Sequence, residues 1–199
     1  MPAIMIKLEE AKRAIAFPDF HSDELLKIAL TDPCTINESG LPHSQQVILK
    51  QEYRRLAFLG DMLIDAILAD FLYGTRRELT HEDFDGYRQN LVNRPFLANF
   101  AIALGLPEVS SSWNRKNRKP PEDEPGVWGE MFEVVVGVLF LDADRDFGKV
   151  AKWLCNRFLE EAVEDYEEDP TLVTGDDYAE MQGLPSSFGI LFSTSDGND

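Results

Sequence analysis

Cysteine is scarce in this chain. Its two residues, Cys34 and Cys155, lie far apart and outside any Cys-x-x-Cys pair, which excludes a disulfide framework and a cysteine-rich zinc site. Histidine is almost as rare: His21, His43 and His81 fall in predicted loops without matching Cys or His neighbours, so neither a zinc centre nor a nucleophilic triad is supported. No glycine-rich phosphate loop occurs, and no run of about 18 apolar residues that could cross a bilayer. The stretch from Met1 to Phe17 lacks the apolar core and small-residue cleavage site of a secretory signal. A cytoplasmic protein without membrane contact is expected. Positive charge is missing from one end altogether. From Glu160 to Asp199 there are 12 acids and no Lys or Arg, leaving 24 acids against 19 bases in the remainder of a chain whose net charge is -17. That balance opposes contact with phosphates, which Lys and Arg ordinarily drive. A local exception is Arg115, Lys116, Arg118 and Lys119 beside Trp113, in a loop bounded by Pro120 and Pro121 that reads either as a solvated loop or as an RNA contact.

What is present is apolar helical periodicity. With 44% hydrophobic residues, 199 residues suffice for one compact core. Apolar positions recur at helical spacing over residues 8–17, 23–30, 51–73, 84–90, 94–104, 128–141 and 147–164, and few segments alternate with period two. Pro95 suits a helix's first turn and Gly105 a helix end. The fold class is therefore all-α, with a helical domain over residues 1–164 and an acidic, partly disordered tail over 165–199, in which Ser186 to Phe192 is apolar enough to dock locally.

Two of these helices carry acids where apolar residues belong. Asp61 interrupts Leu56-Ala57-Phe58-Leu59-Gly60-Asp61-Met62-Leu63-Ile64, and Glu130 and Glu133 interrupt Glu130-Met131-Phe132-Glu133-Val134-Val135-Val136. A buried carboxylate must be protonated, hydrogen-bonded, or shared with other oxygen ligands around a divalent cation. Residues three apart share a helix face, so Glu130 and Glu133 can point at one place while Asp61 approaches from the other helix.

The same residues carry a family resemblance. The blocks Ile28-Ala29-Leu30-Thr31-Asp32-Pro33, Leu56 to Asp61, Tyr87-Arg88-Gln89-Asn90-Leu91-Val92-Asn93, Leu97-Ala98, Leu104-Gly105-Leu106 and Glu130 to Asp142 resemble, in order and spacing, the catalytic domain of ribonuclease III over roughly residues 20 to 160. The resemblance implies the helical endonuclease-domain fold of that family and a symmetric homodimer, which the surplus of apolar residues at Phe58, Leu59, Met62, Leu63, Ile67 and Phe71 would serve. It further implies Mg²⁺-dependent hydrolysis of phosphodiester bonds in double-stranded RNA, with Mn²⁺ as a substitute and with Asp61, Glu130 and Glu133 as catalytic residues and metal ligands.

Departures from the family pattern fall at the site itself. Ala57 stands where the family carries a glutamate four residues before Asp61, Arg54 replaces an outer glutamate, Glu130 replaces an aspartate, and Asp32 stands where a histidine is usual. Metal-dependent cleavage is therefore expected to be weakened or lost in a protein that still acts on structured or double-stranded RNA. Two other readings stay open: an active endoribonuclease working with three carboxylates, and a non-catalytic dimeric scaffold associated with RNA or ribosomes, with Arg54 supplying the ion's charge through a salt bridge to Asp61. Members of the family usually continue into a double-stranded RNA-binding domain, and nothing after Glu164 has its length or basic residues. The acidic tail either solubilises, binds a basic protein partner, or covers the RNA groove.

Overall fold

The computed structural model describes residues 6–114 and 119–169, with Trp113 and Asn114 described by their backbone alone. Ten α-helices follow in order: α1 (Leu8–Ile15), α2 (Asp23–Ala29), α3 (Pro33–Ile36), α4 (His43–Thr75), α5 (His81–Leu91), α6 (Arg94–Ala103), α7 (Leu106–Val109), α8 (Pro125–Asp142), α9 (Phe147–Leu154) and α10 (Glu160–Glu168). Among the described residues there is no strand, as the sequence periodicity requires.

Helix α8 is the axis of the molecule. Residues 131–139 are buried without interruption, including Glu133 among the apolar Phe132, Val134, Val135, Val136 and Val138. A helix that is apolar all round belongs at the centre of a bundle, and α4 and α6 pack along α8 on two sides with α2 against a third. Aromatic rings close one flank. Phe100 of α6 stacks on Phe158 with centroids 4.5 Å apart, and Phe132 of α8 meets both at 5.4 and 5.5 Å.

Local chemistry decides where the helices start. Ser22 Oγ, Asn93 Oδ1 and Asp146 Oδ1 each accept a hydrogen bond from a backbone N–H of the first turn they precede, and Thr80 and Asp83 form a reciprocal capping box on α5. At α6 the Asn93 cap is followed by Arg94 and Pro95, so Arg94 occupies the first helical position and its side chain is aimed by the helix start.

Two differences from the periodicity concern element ends. Helix α4 begins at His43 rather than near Gln51, because its first two turns lie mostly in solvent and carry no core-facing period. The final helical segment continues to Glu168, past the expected limit at Glu164, and is interrupted by a π turn over Cys155–Leu159. The extension has partners: Glu167 accepts two hydrogen bonds from Arg76 at 2.6 and 3.1 Å and one from the Tyr87 hydroxyl at 2.9 Å, tying α10 to the ends of α4 and α5. Residues 170–199 lie outside the described residues, and with them the readings of the acidic tail. No helix among the described residues is long and apolar enough to cross a membrane.

Candidate functional site

The site lies where α4, α6 and α8 approach one another at backbone distance. A Cβ at Gly60 would stand 1.7 Å from the Glu133 carbonyl oxygen, and one at Gly137 would stand 2.5 Å from the Leu56 carbonyl oxygen, so α4 and α8 touch main chain to main chain. A third glycine, Gly129, gives α6 the same access: a Cβ there would lie 2.2 Å from the carbonyl oxygen of Arg94. Small residues at these points bring Asp61, Glu133 and Arg94 to one corner of the bundle.

Arg94 organises that corner. Its Nε donates to Glu133 Oε1 at 3.0 Å and its Nη2 to Glu133 Oε2 at 3.3 Å, a two-pronged pair, while Nη2 also reaches Glu130 Oε1 at 3.5 Å. The Glu133 side chain is 3% exposed, whereas that of Arg94 is 50% exposed. Burial pushes the Glu133 carboxyl above the usual range, the Arg94 guanidinium pulls it back, and the negative charges of Asp61 and Glu130 push it up again. The Arg94 guanidinium is held more firmly protonated, first by its bonds to Glu133. Both partners shift upward without contradiction, since the burial of Glu133 outweighs the attraction of its partner.

Asp61 is half-buried on α4. Desolvation raises its carboxyl first, Asp65 one turn further on raises it again, and Arg94 and Arg88 oppose both. Asp65 is itself clasped by Arg88 of α5 at 2.8 and 3.0 Å. Tyr53, buried on α4, has its hydroxyl pushed well up, first by burial and then by the charges of Glu130, Asp32 and Glu133.

Glu133 thus feels the charges of both Asp61 and Glu130, but a guanidinium bonds to two of the three carboxylates singled out in the sequence. Among the described residues no three His, Cys, Asp or Glu side chains are placed to hold a metal ion together. Ala57 is a buried methyl, 3% exposed, where the family glutamate would project. The present donor set therefore does not fit a divalent ion as arranged. The expected salt bridge from Arg54 to Asp61 is corrected: Arg54 is exposed on α4, two helical turns or about 10.5 Å of rise from Asp61, and the cations acting on Asp61 are Arg94 and Arg88. Arg94 escaped the sequence reading because no local spacing links it to residue 133. Its only local signals were the Asn-x-Pro helix start and the glycine at position 129.

Asp32 has a structural role. It is 1% exposed, caps α3 by accepting from the Cys34 backbone N–H at 2.7 Å, and accepts from the Ser112 hydroxyl at 2.5 Å, while its own N–H donates to Ser111 Oγ at 2.8 Å. Of the basic loop cluster only Lys119, which is exposed, belongs to the described residues.

An all-helical domain with an acidic corner between two helices defines the class of protein, and comparison with known proteins narrows it. The family model described as the ribonuclease III domain matches residues 54–144. Ribonuclease 3 of Lactococcus lactis subsp. cremoris strain SK11 is 30% identical over 142 residues, covering 71% of this chain and 59% of the relative. Ribonuclease 3 of Albidiferax ferrireducens is 36% identical over 89 residues, covering 45% of this chain and 39% of the relative. Two solved structures of the nuclease domain of ribonuclease III from Campylobacter jejuni superpose with TM-scores of 0.55 at 21% and 22% identity, covering 76% and 77% of this chain and 99% and 97% of theirs. One of those describes structural flexibility in the region involved in dimer formation of that domain. Residues 54–144 match the ribonuclease III domain, and the chain spans about three fifths of the length of the first Ribonuclease 3 relatives it matches.

Proposed function

We propose that the protein binds structured or double-stranded RNA as a symmetric homodimer in RNA processing, with metal-dependent phosphodiester hydrolysis weakened or lost. The observation that carries this reading is the commitment of the buried Glu133 carboxylate to Arg94, inside a domain of ribonuclease III fold in which residue 57 is a buried alanine. A carboxylate that already neutralises a guanidinium has less negative charge to offer a hard cation. Asp61, Glu130 and Glu133 are the carboxylates the family resemblance assigns to a divalent ion, and with Arg94 bonded to two of them they do not form a site for one as arranged.

The test is a labelled double-stranded RNA incubated with purified protein in Mg²⁺ and in Mn²⁺, beside a binding measurement in EDTA. The expected result is RNA retention that weakens with added salt, no cutting above background by the natural chain, and at most slow cutting by the double variant Ala57→Glu/Arg94→Gln. Cleavage by the natural chain that disappears in Glu133→Ala overturns the reading in favour of an active endoribonuclease. Absence of RNA binding in EDTA overturns the RNA-binding part.

The dimer rests on the outer face of α4. At about 100° per residue, Ile48, Gln51, Arg55, Phe58, Met62, Ala66, Ala69 and Tyr73 fall on one narrow stripe opposite the buried side, and all are exposed, with Phe58 at 68% and Ile48 at 63%. Leu63 and Ile67, by contrast, are spent on the core. Large apolar side chains aligned in water favour a second copy of the same surface, since a symmetric contact covers both stripes at once. Phe58→Glu should convert the dimer to a monomer in sedimentation equilibrium while leaving the helical circular dichroism unchanged. A natural chain that sediments as a monomer at all concentrations removes this part of the reading.

A further inference from the structure

The most unusual group in the fold is Arg94, and it bears directly on the acidic corner. It is the only base in direct contact with Glu133 and Glu130 among the described residues, it is seated by a helix cap and by backbone contact at Gly129, and its guanidinium meets both Glu133 oxygens.

We infer that Arg94 is a resident cation: its guanidinium takes the place of a divalent ion between Glu133 and Glu130, and the folded domain is closed to Mg²⁺ and Mn²⁺ for that reason. The inference rests on the proposed reading of a corner no longer used for metal-dependent cleavage, and assigns to one residue the exclusion of the ion. Three observations converge on it. A forked guanidinium satisfies both carboxylate oxygens, which a metal ligand would otherwise direct at the ion. Glu133 is too deeply buried to swing outward and offer itself elsewhere. The side chain of Arg94, half in solvent, supplies positive charge without the dehydration that Mg²⁺ resists.

Arg94 is thus a positioning residue, and its removal should open a site. The protein is titrated with Mn²⁺ and free Mn²⁺ is followed by its paramagnetic resonance signal, with thermal unfolding recorded in EDTA and in millimolar Mn²⁺. For the natural chain the expected result is no Mn²⁺ bound at the corner and one melting temperature in both conditions. Arg94→Gln should bind Mn²⁺ at least about tenfold more tightly than the natural chain, melt higher in Mn²⁺ than in EDTA, and lose both effects when combined with Glu133→Gln. Equal Mn²⁺ affinity in the natural chain and in Arg94→Gln overturns the inference, whether both bind or neither does. Should Arg94→Gln fail to fold, the natural chain decides alone: Mn²⁺ bound to it and released by Glu133→Gln overturns the inference, and none bound with an unmoved melting temperature supports it. RNA retention in EDTA is scored separately, so that a failed exclusion and a failed RNA-binding reading give different patterns.

Discussion

Replacing Gly60 by alanine should cost the domain about 3 kcal/mol or prevent folding, the upper end of what overpacking a close contact does. The single added methyl would stand 1.7 Å from the Glu133 carbonyl oxygen and 2.6 Å from its carbonyl carbon. Both obstacles are main chain inside helix α8, so no rotamer change relieves them. The helices must move apart, and the layer of apolar side chains between α4 and α8 opens with them. Against a total stability of roughly 5–15 kcal/mol such a loss is large. Gly74 supplies the contrast on the same helix. Nothing lies within 4 Å of a Cβ there, so Gly74→Ala should gain about 0.5–1 kcal/mol through the reduced entropy of the unfolded chain. Urea unfolding of the two variants beside the natural protein measures both. A Gly60→Ala variant within half a unit of the natural protein, or a Gly74→Ala variant that loses stability, would show that α4 and α8 do not meet as described. The same methyl would displace Asp61, the next residue, from Glu133, so any function that needs the acidic corner should fail in Gly60→Ala even under conditions where it folds.

Much of this was readable beforehand, and the parts that were not share a cause. Asp61 and Glu133 announced themselves as carboxylates inside apolar runs, because burial leaves a chemical anomaly in one dimension. The core helices were visible for the same reason: residues facing the interior of α6 and α8 are apolar at helical spacing. The beginning of α4 was not visible, since its exposed turns face no core and leave no period. Nor was Arg94. An arginine at a helix start is unremarkable until a helix 39 residues later is laid against it, and only the pairing of Gly129 with the Arg94 main chain makes that contact close. Arg54 looked the better candidate because it shares a helix with Asp61. Proximity in sequence favoured it, whereas packing between helices favoured Arg94.

Removing the side chain of Arg94 should then show how much of the domain's stability depends on this contact. Arg94→Ala strands a carboxylate that is 3% exposed. Breaking a fully buried pair by deleting one partner costs about 3–5 kcal/mol; with the arginine half in water, about 2–3 kcal/mol is expected at pH 7, since solvent enters the space it leaves. The sign of the pH dependence follows from Glu133. Its folded carboxyl already lies above the usual range because burial outweighs Arg94, and without Arg94 it rises further. An acid whose folded pKa exceeds its unfolded value binds protons more readily in the folded state, so stability falls as pH rises from the ordinary glutamate range near 4.3 through the folded value. That fall is steeper and extends higher in the variant. The penalty of Arg94→Ala should therefore be smallest in acid, as protonation removes the Glu133 charge, and grow toward pH 7. Chemical denaturation at pH 4, 5.5 and 7 measures it, and a penalty that is flat or larger in acid would rule out the ion pair as its source. Glu133→Gln in the Arg94→Ala background should recover part of the loss at pH 7 and little at pH 4. The charge, rather than the volume of the arginine, is what α8 requires at this position, and a double-mutant cycle that shows no coupling at neutral pH would contradict it.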